Sequence, residues 1–173
     1  MLTPQLPGYK LSPAAPADAL EWGKFEALAE FKAHTSSTIQ SSADLLPRIE
    51  QSLSDPSAPV YFVVHESDTG HLVATVGFHS VSPLNRSAEI TYGVDPLLWG
   101  NGLATALCVA AVQWGFSAKS WVRIQATTLE SNLASRRVLD KAGFAFEGRQ
   151  RNFRMVRGAP RDYLLFSVTP PAT

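Results

Sequence analysis

Asp95-Pro96-Leu97-Leu98-Trp99-Gly100-Asn101-Gly102-Leu103-Ala104-Thr105-Ala106-Leu107 joins two apolar runs of different character, with two glycines at the junction. Upstream, Ala88 to Val94 has strand composition; downstream, Gly102 to Ala118 reads as a helix, and a second strand follows from Val122 to Thr128. Two strands joined through a helix of that length lie parallel, because the crossover returns the chain to its starting edge. The stretch therefore predicts an α/β fold with a glycine turn opening a helix. Unpaired N–H groups there carry partial positive charge and suit a phosphate or pyrophosphate. The same pattern also suits a tight turn in which the glycines only permit packing. A dinucleotide fingerprint fits less well: Thr105 stands where a third glycine belongs, and no acidic residue follows Thr127-Thr128 until Glu130.

Outward from this centre the periodicities are legible. On the N-terminal side, Val60-Tyr61-Phe62-Val63-Val64, a turn at Asp68-Thr69-Gly70, His71 to Val81, a turn at Ser82 to Asn85 and Ser87 to Val94 predict a three-stranded antiparallel meander. Two helices precede it. Asp18 to Ala33 carries Leu20, Phe25, Leu28 and Phe31 near helical spacing with Asp18 as N-cap, and Ser41 to Leu53 starts on Ser41 with Pro47 early enough to be tolerated. Proline-rich residues 1–16 read as a lead-in with one short strand around Tyr9 to Leu11. On the C-terminal side a helix from Asn132 to Ala142 ends at Gly143 and feeds a strand from Phe144 to Arg149. A loop from Arg151 to Pro160 and a last strand, Asp162 to Val168, complete the order.

At 173 residues the chain is predicted to be a single domain, 1–173. Its 45% hydrophobic and 17% charged content excludes a disordered tail, and its one cysteine, Cys108, excludes a disulfide framework and a thiolate zinc site. The four histidines share no ligand spacing, so no metal is expected. The formal net charge is zero, against a general nucleic-acid binder, but residues 1–120 carry 6 basic against 11 acidic side chains and 121–173 carry 9 against 4. An anionic ligand near the C-terminal third and a merely solvated basic face explain this equally well. Met1 to Pro7 lacks a signal-peptide pattern and no apolar run reaches about 18 residues, so a cytoplasmic protein with no membrane partner is expected.

A second segment, Asn132-Leu133-Ala134-Ser135-Arg136-Arg137-Val138-Leu139-Asp140-Lys141-Ala142-Gly143-Phe144-Ala145-Phe146-Glu147-Gly148, narrows the reading. With Trp99 to Ala104 it resembles the GNAT superfamily of acetyl-CoA-dependent N-acetyltransferases, and within it the RimJ/RimL type that acetylates protein N-termini. The likeness covers about residues 58 to 168. It implies the acyl-CoA N-acyltransferase fold, a mixed central sheet flanked by helices, with acetyl-CoA as co-substrate and a primary amine as acceptor.

By that resemblance the pantetheine arm lies along Tyr92-Gly93-Val94, and Trp99, Gly100, Asn101, Gly102, Leu103, Ala104 and Thr105 form the pyrophosphate loop. Asn132 becomes a ligand of CoA or water, or simply an N-cap. The likeness makes Ser135, one turn on, the candidate general acid, its alternative being a solvated first-turn serine; Leu139 stands where the wider superfamily often has a tyrosine serving as general acid. Glu89 is the best-placed carboxylate to take the amine proton, directly or through water; its alternative is an ordinary strand residue. Phe31 and His34 fall in the region that lines the acceptor pocket in this family, or form a plain loop beside the core. Glu147 reads as structural. Five arginines, Arg149, Arg151, Arg154, Arg157 and Arg161, either hold an acidic substrate or CoA phosphate or keep a sheet edge soluble.

An α-amine of pKa about 8 is roughly a tenth neutral at pH 7, against under ~0.1% for a lysine amine, so an N-terminal acceptor needs no strong base. Together with the RimJ/RimL likeness, this makes a protein or peptide N-terminus the favoured acceptor. The alternatives are a free small amine, such as an amino acid, polyamine or antibiotic, and a catalytically silent acyl-CoA-binding module.

Overall fold

The computed structural model describes residues 3–54 and 59–171, so Met1 and Leu2 of the leading stretch lie outside the described residues. Strand β1 (Tyr9–Pro13) is followed by helices α1 (Ala19–Glu26), α2 (Ala29–His34) and α3 (Leu46–Ser54). Then come β2 (Val60–Glu66), β3 (Leu72–Ser82), β4 (Ser87–Val94), α4 (Leu103–Ala118), β5 (Arg123–Leu129), α5 (Leu133–Lys141), β6 (Ala145–Val156) and β7 (Ala159–Val168). The strands form one mixed sheet in the order β1-β2-β3-β4-β5-β7-β6, antiparallel throughout except for the β4–β5 pair.

Helices cover both faces, and β2 shows how. Phe62 and Val64 join a cluster with Leu107, Ala111 and Trp114 of α4 and Leu139 of α5, whereas Tyr61 and Val63 join Trp22 and Phe25 of α1, Phe31 of α2 and Ile49 of α3. The period-two alternation of a strand sends neighbours to opposite faces, which is why this run is apolar without interruption. Phe78, Trp114 and Trp121 stack in the larger cluster with ring centroids 4.7 to 6.0 Å apart.

Three expectations are corrected. Residues 18–33 are two helices: Leu28 is extended at φ −60°, ψ 139°, and the break lets Phe31 turn back edge-on against Phe25. Asp18 does not cap α1 through its side chain; its carboxylate takes the Ala15 N–H of the preceding 3₁₀ turn at 2.8 Å. The stretch from Arg151 to Pro160 is strand on both sides of a tight turn at Arg157-Gly158. A bulge between Gln150 and Arg154 absorbs Asn152 at φ 50°, and Asp162 staples it by accepting the Asn152 N–H at 2.7 Å.

Candidate active site

The parallel ladder between β4 and β5 is three residues long, Ser87↔Arg123 to Glu89↔Gln125. Beyond it β4 continues along β3 while β5 pairs with β7, so the two strands part and leave free edges facing across a wedge. The Asp95 N–H bonds to Val73 O on β3 at 2.9 Å, and the alternation of the ladder then turns the peptide groups of Tyr92 and Val94 toward the free edge. Val94 O is taken there by the Trp99 indole N–H at 2.8 Å. Tyr92 leaves room for an extended ligand to add to the edge by main-chain bonding.

At the mouth of the wedge Asp95 accepts the Leu97 N–H at 2.9 Å and starts the glycine loop. Gly100 and Gly102 both sit in the left-handed region, at φ 84° and 81°, and a Cβ at either would meet nothing within 4 Å. Their glycines therefore serve the backbone path rather than close packing. Gly102 caps α4 with no side-chain acceptor, so the first-turn N–H groups of Leu103, Ala104 and Thr105 have no partner within the helix. Such a helix start, 16 residues long and opening on clear space, fits an anionic pyrophosphate.

Inside the wedge α5 begins at Asn132, whose Oδ1 accepts the Ser135 N–H at 3.0 Å. The N-cap reading of Asn132 thus holds, and its Nδ2 also donates to His34 O at 2.7 Å, tying α5 to the end of α2. Ser135 Oγ lies 2.7 Å from Tyr92 Oη. Burial pushes the Tyr92 phenol well above its ordinary range, so the pair stays protonated. Sequence reasoning used only the Tyr92 backbone; its hydroxyl is the finding here.

Glu89 is buried at the point where the strands part. It accepts from Thr127 Oγ1 at 2.5 Å, Gln125 Nε2 at 3.3 Å and Arg154 at 3.3 Å, and His79 Nε2 stands 3.9 Å away. His79 and Glu89 are register partners across β3 and β4. Burial holds the imidazole below its usual pKa, with Arg154 and Arg48 adding to the effect against the pull of Glu89. His79 and Arg154 carried no signal in the sequence beyond being a histidine and one of five arginines.

Two cavities meet here. One, of about 140 Å³, is lined by Glu89, Tyr92, Thr127, Asn132, Ser135 and His34 among others; the second, of about 430 Å³, runs under α1–α3 past Trp22, Glu26, Phe31, Arg48 and Tyr61. They share Thr35, Ser36, His79, Thr91, Tyr92 and Arg154. Both residues expected at the acceptor side thus line cavity wall. Phe31 comes so close to Gly93 that a Cβ there would lie 3.0 Å from its ring, which is the reason for glycine at that point of β4. His34 is exposed and sits edge-on to Trp99 at 5.8 Å. The glycine loop lines neither cavity.

Among the clustered arginines, Arg149 pairs with Asp162 and Glu130, Arg154 reaches the site, and Arg157 at the β6–β7 tip donates to the carbonyls of Lys32 and Thr35; Arg151 and Arg161 are exposed. Glu147 is structural, gripped by Arg123 at 2.8 and 2.6 Å and by Ser167 Oγ at 2.5 Å. Cys108 is fully buried on α4, and burial pushes its thiol up to about 12, which removes it as a nucleophile. Tyr163 Oη, in the wall of the smaller cavity, is buried without a hydrogen-bond partner among the described residues.

Residues 10–145 match the family model described as acetyltransferase (GNAT) domain. An uncharacterized N-acetyltransferase of Bacillus subtilis, YoaA, is 38% identical over 108 residues; the match covers 62% of this chain and spans 61% of that relative's length. In the solved structure of Mycobacterium smegmatis RimJ in complex with CoA-disulfide, the likeness has a TM-score of 0.83 at 26% identity, covering 93% of this chain and 81% of that one. A Vibrio cholerae spermidine N-acetyltransferase shares the fold at a TM-score of 0.79 and 18% identity, over 94% of each chain.

Proposed function

The chain belongs to the GNAT acetyltransferase family, and from that premise we propose that it is an acetyl-CoA-dependent N-acetyltransferase whose favoured acceptor is the α-amine of a protein or peptide N-terminus. The observation that carries the reading is the wedge itself. A helix start with unpaired N–H groups stands at its mouth, a free strand edge along its side, and a hydroxyl pair and a buried carboxylate at its apex.

Acetyl transfer needs a neutral amine, a polarised thioester carbonyl and a proton for the departing sulfur. In this reading the N–H groups from Asn101 to Thr105 hold the pyrophosphate and the Tyr92–Val94 edge holds the pantetheine arm. The amine nitrogen attacks the thioester carbon, and the carbon–sulfur bond breaks. Ser135, held by Tyr92, gives its proton toward the sulfur. Glu89 takes the amine proton through water, with neutral His79 beside it, and that proton restores Ser135, so the charges balance. Cys108 is fully buried and lines neither cavity, which supports direct passage of the acetyl group from sulfur to nitrogen in a ternary complex. The RimJ likeness at 26% identity supports an N-terminal acceptor.

The test is CoA release with one short peptide bearing a free N-terminus, its N-blocked lysine-containing counterpart, and a polyamine. Turnover of the first alone is expected. Rapid turnover of the polyamine with neither peptide acetylated transfers the activity to small amines. Acetyl-CoA binding with no turnover across a wide amine panel makes the protein a silent acyl-CoA module.

A further inference from the structure

Besides the phenols of Tyr61 and Tyr92, the larger cavity is lined by the ionisable groups of Glu26, Arg48, His79 and Arg154, and three of these four are already committed. Glu26 spends one carboxylate oxygen on the Trp22 indole N–H at 2.7 Å and the other on Ser37 Oγ at 2.8 Å, fastening α1 to the segment after α2. Arg154 is taken by Glu89, with its guanidinium over the rings of Phe153 and Tyr163 at 5.1 and 5.4 Å. His79 is held toward its neutral form by burial.

Arg48 is different. It is half-buried on α3 and its guanidinium lies over the Tyr61 ring at 5.9 Å. Among the described residues no carboxylate stands within 4 Å of it and no acceptor takes its N–H groups. A planar cation with unused donors in a cavity wall matches a carboxylate by paired hydrogen bonds and repels a second cation.

We propose that Arg48 selects the acceptor: the amine that reacts carries an anionic group, a carboxylate received by Arg48 while its nitrogen reaches the His79–Tyr92 end shared by the two cavities, beside Glu89. This inference rests on the acetyltransferase reading above and refines it. It disfavours polyamines, whose far end would bring positive charge to Arg48. The carboxylate has two sources, the α-carboxylate of a free amino acid or the side chain of an acidic residue at a peptide N-terminus.

Calorimetric titration into protein saturated with CoA decides the matter without requiring turnover. Two matched pairs serve as probes: a short peptide beginning with Glu against the same peptide beginning with Gln, and a free amino acid against its amide. Wild-type protein is expected to bind the acidic member of one pair at least about tenfold tighter than its neutral partner, the size of a charge-assisted contact. The pair showing the preference identifies the source. Arg48→Met is expected to bring the ratio within about twofold, and Arg48→Lys to restore part of it, while the acetyl-CoA thermal shift reports that each variant is folded. Equal affinities within both pairs for wild-type protein overturn the inference, as does a preference that survives in folded R48M. CoA release assayed in parallel judges the acetyltransferase reading separately: absence of turnover counts against that reading, while the binding ratio still decides the role of Arg48.

Discussion

The glycine loop and the proposed acceptor cavity are built on opposite terms. The loop is a contiguous run from Asp95 to Thr105 whose proposed function resides in main-chain N–H groups and two left-handed glycines. The cavity is assembled from side chains of several distant segments, among them Phe31 on α2, Arg48 on α3, His79 on β3 and Arg154 on β6. A backbone site depends on local conformation and so recurs as a motif. A side-chain site depends on the register of strands far apart in the chain and is free to vary around a fixed scaffold.

Substitutions should separate the two regions. The largest expected effect is at the loop: Gly102→Asp puts a β-carbon at φ 81° and a negative charge where an anion is proposed to sit. Acetyl-CoA at 100 times its Kd should stabilise wild-type protein by about 2.7 kcal/mol, and the corresponding thermal shift should vanish in the variant. An unchanged shift would place the anion elsewhere and dissolve the contrast between the regions.

Next in size is the Tyr92–Ser135 hydroxyl pair, beside the junction of the two cavities. Ser135→Ala should lower kcat about 10²-fold with little change in KM for acetyl-CoA, because a proton donor to sulfur acts in the transition state. Tyr92→Phe should cost less, and the double variant little more than Ser135→Ala alone, since the two hydroxyls share one hydrogen bond. Wild-type turnover in S135A would return that serine to a first-turn helix residue.

On the acceptor side the expected signature is a pH profile. With an N-terminal amine as acceptor, kcat/KM should climb with pH and level off above about 8, the amine's own pKa, past which most of it is neutral. A plateau reached well below that pH would mean that a protein group sets the limiting ionisation instead, His79 being the candidate whose pKa burial lowers.

The smallest effect lies outside both regions and calibrates them. Arg123 and Ser167 hold the Glu147 carboxyl down from 4.5 to about 2. A carboxyl whose pKa is lowered on folding contributes stability that is complete above its unfolded value and is lost as pH falls toward its folded one, here from about 4.5 to about 2. The pair is about a third exposed, so solvent screening limits the contribution to about 1 kcal/mol. Unfolding of Glu147→Gln between pH 2 and 5 should lack that part of the wild-type slope.

Much of the scaffold was readable in advance because period-two and helical patterns seldom mix here. The β4–α4–β5 crossover, the meander and α5 follow the expected boundaries within a residue or two. The reading stopped at Arg149 on β6 because an arginine-rich stretch with a left-handed Asn152 looks like a loop until Asp162 arrives from the neighbouring strand. The single helix expected over 18–33 failed because Phe31 gains more by packing on Phe25 and Gly93 than by continuing α1. Within the site, Ser135, Asn132 and the glycine loop belong to local motifs and are legible in the sequence. The Tyr92 hydroxyl, His79 and Arg48 are not, and nothing local sets Arg154 apart from the other four arginines, because these groups converge only through pairings such as His79↔Glu89 that no local pattern encodes.

The sheet order carries a consequence for biosynthesis. β7, the last of the seven strands in chain order, lies between β5 and β6, and β5 has only three residues of pairing on its other side. Until β7 leaves the ribosome, β5 has an open edge, β6 has no neighbour, and the Arg157 clasp onto the end of α2 has nothing to stand on. The nascent chain can thus complete its glycine loop early, but the wall that would face the acceptor closes only after the final hairpin is made. During that interval the exposed strand edges are the part of the molecule most open to misassembly with a neighbouring chain.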